Sequence, residues 1–459
     1  MAERFTAVII AAGLGTRMRS SLPKVLHPVC GRPMVQWVIE AARSAGAGKV
    51  VCVTRPGDGV AERLLEGVVV AEQREGEGTG AAVLAAREHL EPGRPLVVLS
   101  GDHPLVSAEV IEDLCDSHLR ELAGATLLTT TQLDPSGYGR VVRGHDGSVE
   151  RIVETKSTSG LSPEELAIRE INVGAYAFAT DELVVALEAV GLTGGERYLT
   201  AVVPELRARG ARVATHPTDD VASALGVNSR VDLMRVERLA QRRLIDAHAL
   251  AGVTFISPET ASIDVGVEIG ADTTVGPGVS IKGASRIGGR CEIGPHTTAI
   301  DAELGDGVSV AHSYLVGCEV HPGASVGPFA YLRPGTVVRE RARVGSFVEI
   351  KNSDIGRGAK VPHLSYIGDA EVGEEANVGA GNITANYDGY QKHRTVIGER
   401  AKTGVHTSFV APVRVGREAY TGAGSVITED VPERALGISR PAQRNVDGYA
   451  ERVEKRPRE

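Results

Sequence analysis

Two groups of residues in this 459-residue chain have types and spacings suited to chemistry. The first is Ile9-Ile10-Ala11-Ala12-Gly13-Leu14-Gly15-Thr16-Arg17-Met18-Arg19, followed by Leu22-Pro23-Lys24. A glycine turn after a buried strand lets backbone N–H groups approach phosphate oxygens, and Arg17 and Lys24 add positive charge there. The third glycine of a dinucleotide fingerprint is missing, and no Walker lysine pattern is present. On these residues alone, a structural turn carrying solvated bases fits equally well. The second group runs from Phe347 to Lys392. His363 is a natural base near neutral pH. A lone histidine is ordinarily a satisfied surface residue, but Lys351, Tyr366, Asn377, Asn386, Tyr387 and Lys392 crowd the same stretch. Arg333, Lys351 and Tyr366 suit a sugar phosphate.

The elements that must position these groups differ between the two halves. The first half alternates strands (Thr6–Ile10, Val50–Thr54, Pro95–Leu99) with helices (Met34–Ala45, Ala81–Leu90). That alternation predicts an α/β domain, a mostly parallel Rossmann-like sheet with helices on both faces and ligands at the carboxyl ends of its strands. Ser229 can cap a helix running to about Ala249, with Leu233, Val236, Ala240, Leu244 and Ala247 as an apolar stripe. Its arginines, Arg235, Arg238, Arg242 and Arg243, read as a solvated face.

Beyond residue 251 a period of six appears. Aliphatic residues fall at Ile263, Ile269, Val275, Ile281, Ile287 and Ile293, with glycine directly following at Gly270, Gly276, Gly288 and Gly294. The phase shifts, resumes from Val320 to Ile350, shifts again through Ile355, Val361 and Ile367, and returns from Ile397 to Ile427. Hexapeptide repeats predict an all-β domain, a parallel β-helix of triangular coils filled by aliphatic residues, with glycine serving the turns. Between Val378 and Ile397 the hexad lapses, which predicts a loop leaving the coil. The expected division is residues 1–230, a linker helix 231–251, and a β-helix 252–459.

Composition agrees. Glycine supplies 55 of 459 residues, about 12% where ~7% is usual. Aromatics are few, with 1 Trp, 10 Tyr and 6 Phe, while 42% of the chain is hydrophobic, so the core is filled mainly by aliphatic residues. The net charge of −9 disfavours a nucleic-acid coat. No apolar stretch approaches the ~18 residues of a membrane span. The start, Met1-Ala-Glu-Arg-Phe-Thr, lacks a signal-peptide layout. The 5 cysteines form no Cys-x-x-Cys pair and read as reduced thiols of a cytoplasmic protein. The charged tail from Glu451 to Glu459 reads as solvated or disordered.

The Gly-x-Gly-Thr-Arg-Met string with its Pro-Lys resembles the nucleotidyltransferases that make nucleotide sugars. Glu72-Gln73 with Gly78-Thr79-Gly80, Ser100-Gly101-Asp102, Tyr138-Gly139-Arg140, Val153-Glu154, Glu170 to Gly174, and Gly226-Val227-Asn228 match that family's segments in order. Together with His363-Leu364-Ser365-Tyr366, Asn377 to Gly381 and Ala385 to Gly389, they resemble the bifunctional bacterial enzymes that are both glucosamine-1-phosphate N-acetyltransferases and N-acetylglucosamine-1-phosphate uridylyltransferases. The resemblance covers nearly the whole chain and implies a left-handed β-helix that assembles as a homotrimer.

It further implies acetyl-CoA and UTP as substrates, Mg2+ as cofactor, and a place in cell-wall precursor synthesis. His363 would be the acetyl-transfer base, oriented or charge-stabilised by Glu349, with Arg333, Lys351, Tyr366 and Asn377 holding glucosamine 1-phosphate. Ala380, Asn386, Tyr387, Val405, Ala423 and Arg440 match acetyl-CoA positions. Ile10, Ala11, Ala12, Gly13, Lys24, Gln73, Gly78, Thr79, Ser100, Gly101, Asp102, Gly139, Glu154, Asn172 and Asn228 match nucleotide-sugar positions. Arg17 and Lys24 would act catalytically on the phosphates, and Asp102 and Asn228 would hold Mg2+. Ala81 stands where the family usually has histidine, and Val405 where it usually has serine. A backbone contact tolerates valine there, whereas a hydroxyl contact does not. Two other readings use the same residues: a single-function nucleotidyltransferase whose β-helix only assembles, and a scaffold with a degenerate catalytic half.

Overall fold

The computed structural model describes residues 3–155 and 161–454. It divides into two compact units, Met1–Gln241 and Arg242–Glu459. The division falls inside a helix, Arg230–Leu250.

In the first unit the strand Phe5–Ile10 lies between Ala47–Thr54 and Pro95–Ser100, parallel to both. Val69–Glu72 extends one edge in parallel. On the other side Ile171–Ala179 runs antiparallel to both Pro95–Ser100 and Ala125–Thr130, and Val213–Pro217 closes that edge. The strands read as unbroken apolar runs because both faces are covered. Ile9 and Val97 pack with Val38, Ile39 and Leu114 on one face, while Val8 and Val98 pack with Val83, Leu187 and Leu206 on the other. This register sends the loops after Ile10 and Ser100 out side by side, and the Gly101 amide donates to the Ile10 carbonyl at 2.9 Å. The helix expected over 81–90 is shorter, Thr79–Ala85, followed by a 3-10 turn, Arg87–His89.

Ser229 caps Arg230–Leu250 reciprocally with Asp232: the Asp232 amide donates to Ser229 Oγ at 3.3 Å, and the Ser229 amide donates to Asp232 Oδ2 at 2.8 Å. Val236, Ala240 and Ile245 are its buried residues, whereas Ala247, expected in the stripe, is exposed. The arginines are exposed.

In the second unit each aliphatic hexad residue stacks on the third hexad along. Ile263 pairs with Ile281, Ile269 with Ile287, and Val275 with Ile293, one pair on each of three parallel sheets. The hexad residues Ile263 to Ile293, Val320 to Ile367 and Ile397 to Ile427 are all buried, and the aliphatic ones form a continuous core. The phase shifts arise where a coil is shortened at a corner, so that Ile287 meets Leu304 and Ala299 meets Leu315. Glycine serves the turns as expected at Gly278, Gly307 and Gly358, where φ is +66°, +66° and +65°, whereas three of the four glycines directly after aliphatic residues have a different role. Gly270, Gly276 and Gly288 do not take a left-handed φ. A Cβ on Gly270 would lie 2.5 Å from the Gly289 amide nitrogen, and one on Gly288 2.6 Å from that of Asp306. These residues are glycine because successive coils touch backbone to backbone.

The lapse after Val378 is shorter than the sequence suggests. Thr384 takes the interior place, pairing with Phe409, and its Oγ1 accepts from the Gly368 amide at 2.7 Å. A polar residue so satisfied keeps the coil intact while hiding the hexad. The protruding segment is therefore confined to about Asn386–Arg394. At the other end, a short exposed helix, Tyr449–Glu454, runs into the tail from Glu451 expected to be solvated or disordered, and residues 455–459 of that tail lie outside the described residues.

Candidate active sites

In the first unit the glycine loop, the Asp102 turn and the Asn228 turn converge. The Asp102 carbonyl accepts from the Val227 amide at 2.9 Å, which brings Asn228 beside it. Arg17 donates to Asn228 Oδ1 at 2.7 Å, and the Lys24 ammonium donates to Asp102 Oδ2. A Cβ on Gly15, where φ is +59°, would lie 2.6 Å from Lys24 Cβ, so the loop folds tightly over that lysine. Around Gly13 a Cβ would meet nothing within 4 Å, leaving its backbone open to a ligand. Burial pushes the Asp102 carboxyl up, but the Lys24 charge and a hydrogen bond from His103 outweigh it and hold the group far below the usual carboxylate range.

Asp102 and Asn228 thus offer two oxygen donors, each covered by a cation. This set fits Mg2+, which keeps several waters and takes its remaining ligands from substrate phosphates. Among the described residues no group of three His, Cys, Asp or Glu gathers to hold a metal.

Beside this lies a cleft of about 320 Å3 lined by Ile10, Ala12, Gly13, Gln73, Gly78 and Thr79. The buried Gln73 donates to the Gly76 carbonyl at 3.0 Å, and Thr79 Oγ1 accepts from the Leu199 amide at 2.9 Å. Arg55, which sequence reasoning missed, lines the same cleft, donating to the Ala12 carbonyl at 2.6 Å with Glu77 at 3.4 Å. Farther along, Gly139 pairs with Asn172, whose amide donates to the Tyr176 hydroxyl at 2.7 Å, and Glu154 accepts from Thr200 Oγ1 at 2.8 Å. Ser100 Oγ donates to the Gly174 carbonyl at 3.2 Å. Size alone does not select the site, since a groove of about 580 Å3 on the β-helix surface is lined by Glu268, Arg286, Glu303 and Glu319 and holds none of these residues.

In the second unit coil stacking assembles the polar cluster. Tyr331, Glu349, Tyr366 and Ile383 form one ladder on the same sheet, and Ser346 aligns with His363. The expected orientation of His363 by Glu349 is not what the side chains do. Glu349 accepts from Arg333 at 2.9 Å, while the exposed His363 imidazole has no hydrogen-bond partner among the described residues.

The organiser is Asp369, which sequence reasoning also missed. Asn352 donates to its Oδ1 at 2.6 Å, Asn386 donates to Oδ2, and Lys351 Nζ lies 3.6 Å from Oδ2. Burial pushes the Asp369 carboxyl up, but these partners, with Lys392, bring it below its ordinary value. Lys351 in turn pushes the neighbouring Lys392 ammonium down. Two ammonium groups sharing one carboxylate form a positive pocket short of negative charge. Asn377 joins Lys360 and Lys402 through the backbone, with its side chain exposed.

The loop of Tyr387 is held by Asp388, which accepts from the Tyr390 and Gln391 amides and from His393 Nε2 at 2.7 Å. Ala380, Val405 and Ala423 lie on successive coils. The His406 amide donates to the Ala380 carbonyl at 2.7 Å, the Gly424 amide to that of Val405 at 2.8 Å, and Arg440 to that of Ala423 at 2.9 Å. The Val405 side chain is 47% exposed, so it presents an apolar face where a hydroxyl was expected.

Comparison with known proteins covers both units. The MobA-like NTP transferase domain family matches residues 7–218. The "Bifunctional protein GlmU" of Halalkalibacterium halodurans is 44% identical over 98% of this chain and 99% of its own. That of Shouchella clausii is 45% identical over 98% and 100%, and that of Mycobacterium bovis 44% identical over 98% and 93%.

Proposed function

Because the chain belongs to the family of bifunctional GlmU proteins, we propose that its two polar clusters are two active sites for successive steps of UDP-N-acetylglucosamine synthesis. The observation that carries this is the presence in one chain of both a cation-covered Asp102–Asn228 pair and a pocket in which Lys351 and Lys392 share the Asp369 carboxylate.

The β-helix unit acts first. Lys351, Lys392 and Arg333 bind the phosphate of glucosamine 1-phosphate, with Tyr366 and Asn377 on the sugar. His363 takes a proton from the substrate amine, the freed nitrogen forms a bond to the acetyl carbon of acetyl-CoA, and the C–S bond breaks to release the thiol. Amine and thioester are held together, so no acyl-enzyme is required. Ala380, Asn386, Tyr387, Val405, Ala423 and Arg440 line the acetyl-CoA path.

The N-terminal unit then takes N-acetylglucosamine 1-phosphate and UTP. The phosphate oxygen bonds to the α-phosphorus as pyrophosphate leaves, and catalysis is mostly positioning and charge stabilisation. Ile10, Ala11, Ala12 and Gly13 face the nucleotide, Gln73, Gly78 and Thr79 read uracil, and Ser100 and Gly101 set the Asp102 turn. Gly139, Glu154 and Asn172 bind the sugar. Asp102 and Asn228 would hold Mg2+, which would supply positive charge to the triphosphate, and Arg17 and Lys24 act on the same phosphates.

No helix among the described residues is long and apolar enough to cross a membrane. The finer reading is a cytoplasmic homotrimer. The cysteines Cys30, Cys52, Cys115, Cys291 and Cys318 are all buried and form no disulfide, which suits a reducing compartment. An exposed apolar column at one corner of the β-helix, where the Phe329 and Phe347 rings stack at 5.3 Å beside Leu364, suits contact with further copies.

The test supplies glucosamine 1-phosphate with acetyl-CoA, and separately N-acetylglucosamine 1-phosphate with UTP and Mg2+. Thiol release in the first and pyrophosphate release in the second are expected. The absence of either removes that half of the reading.

A further inference from the structure

His103, directly after Asp102, is placed by the fold in a way that neither step above uses. Its Nδ1 lies 2.9 Å from Asp102 Oδ1. An ionised carboxylate only accepts, so Nδ1 carries the proton and donates. The ring is fixed on every side. Its own amide donates to the Ser100 carbonyl at 3.1 Å, and its carbonyl accepts from the Val106 amide at 3.2 Å. A Cβ on Gly226 would lie 2.8 Å from the ring, and a Cβ on Gly174 3.9 Å from Cε1. The far nitrogen, Nε2, is buried without a partner and borders a cavity of about 10 Å3, shared with Ser100, Gly174 and Ser223, with room for a single water.

A partly buried imidazole that spends its one donor on the metal-site aspartate and leaves its buried far nitrogen unpaired is costly as packing alone. We propose that His103 is a positioning residue of the uridylyl-transfer site: its Nδ1–H pins one Asp102 oxygen, turning the other toward the cation and Lys24. The proposal rests on the reading of Asp102 as a Mg2+ ligand. Partners of this kind fix the orientation of a ligand and tune its affinity, and their loss costs ~10–100-fold in metal binding. Oδ1 is held by His103 and Oδ2 by Lys24, so the two oxygens have different partners and the carboxylate has one set orientation.

Mn2+ binding to the full chain in the presence of UTP, without sugar phosphate, followed by electron paramagnetic resonance, tests this. His103→Leu should weaken Mn2+ binding about tenfold or more. His103→Asn, whose side-chain amide can reproduce the Nδ1 donor, should bind within about threefold of the parent chain. Equal behaviour of the two variants would reduce His103 to packing and overturn the proposal. If Asp102→Ala loses Mn2+ while His103→Leu keeps it, only the positioning role falls. If Asp102→Ala also keeps it, the metal reading itself falls and the proposal with it.

Discussion

At the scale of residues, charge is what distinguishes the two sites from ordinary surface. Lys392 sits beside Lys351 with Asp369 as their shared counter-charge, an arrangement that a substrate phosphate completes. Lys392→Met should raise KM for glucosamine 1-phosphate by about tenfold to a hundredfold, the value of one charge-assisted hydrogen bond, with kcat for acetyl transfer changed far less. Steady-state kinetics across the sugar phosphate decide it, and a fall in kcat at unchanged KM would place Lys392 on the reacting atoms instead. His363, Lys351 and Tyr366 were legible in the sequence because reactive residue types crowd a stretch that should be structural. Asp369 was not, because its importance comes from coil stacking that brings Asn352 and Asn386 to the same carboxylate. Arg55 was hidden likewise, meeting the Ala12 carbonyl only once strand ends converge, whereas His103 follows Asp102 directly and was hidden because its ring orientation depends on the packing around it.

At the scale of elements, the β-helix depends on close contact between coils and the α/β unit on a fully covered sheet. Gly288→Ala would drive a Cβ into the backbone of the next coil, while Gly307→Ala meets no atom within 4 Å and suffers only from its φ of +66°. The first should cost about 3 kcal/mol, at the upper end of overpacking, and the second about 1 kcal/mol. Denaturant unfolding of both variants measures the difference, and equal costs would show that coil contact is not limiting.

In the helix Ala108–Glu121, His118 is 4% exposed, hydrogen-bonds Thr126 at 3.2 Å, and is pushed down by burial from 6.5 to about 4. Its folded form is neutral, and the unfolded chain takes up the proton first as pH falls. Stability tied to it is therefore complete above pH 6.5 and declines toward pH 4, by on the order of 3 kcal/mol. His118→Gln should flatten the stability–pH curve in that window, and an unchanged slope would contradict the assignment. The hexad was legible because one residue in six must face a narrow interior. The contact role of Gly270, Gly276 and Gly288 was not legible because a conformational need and a contact need leave the same letter in the sequence, and Thr384 was missed because a satisfied hydroxyl can stand where an aliphatic residue usually does.

At the scale of the whole molecule, two compact units each carry a polar cluster, and relatives align with both over nearly their full length. The alternation of strands and helices followed by hexads made this division readable, since the two halves obey different periodicities. The exact joint was harder to read, because the helix Arg230–Leu250 carries one continuous pattern across it. If each proposed site lies within its own unit, damage to one should leave the other working, with the shared intermediate passing through solution.

The most direct measurement is therefore a mixing experiment with His363→Ala and Asp102→Ala, supplied with glucosamine 1-phosphate, acetyl-CoA, UTP and Mg2+. Each variant alone should form no UDP-N-acetylglucosamine while keeping its other transfer activity, and the mixture should form it. Loss of both transfers in either variant, or a mixture that stays inactive, would contradict two independent sites in one chain.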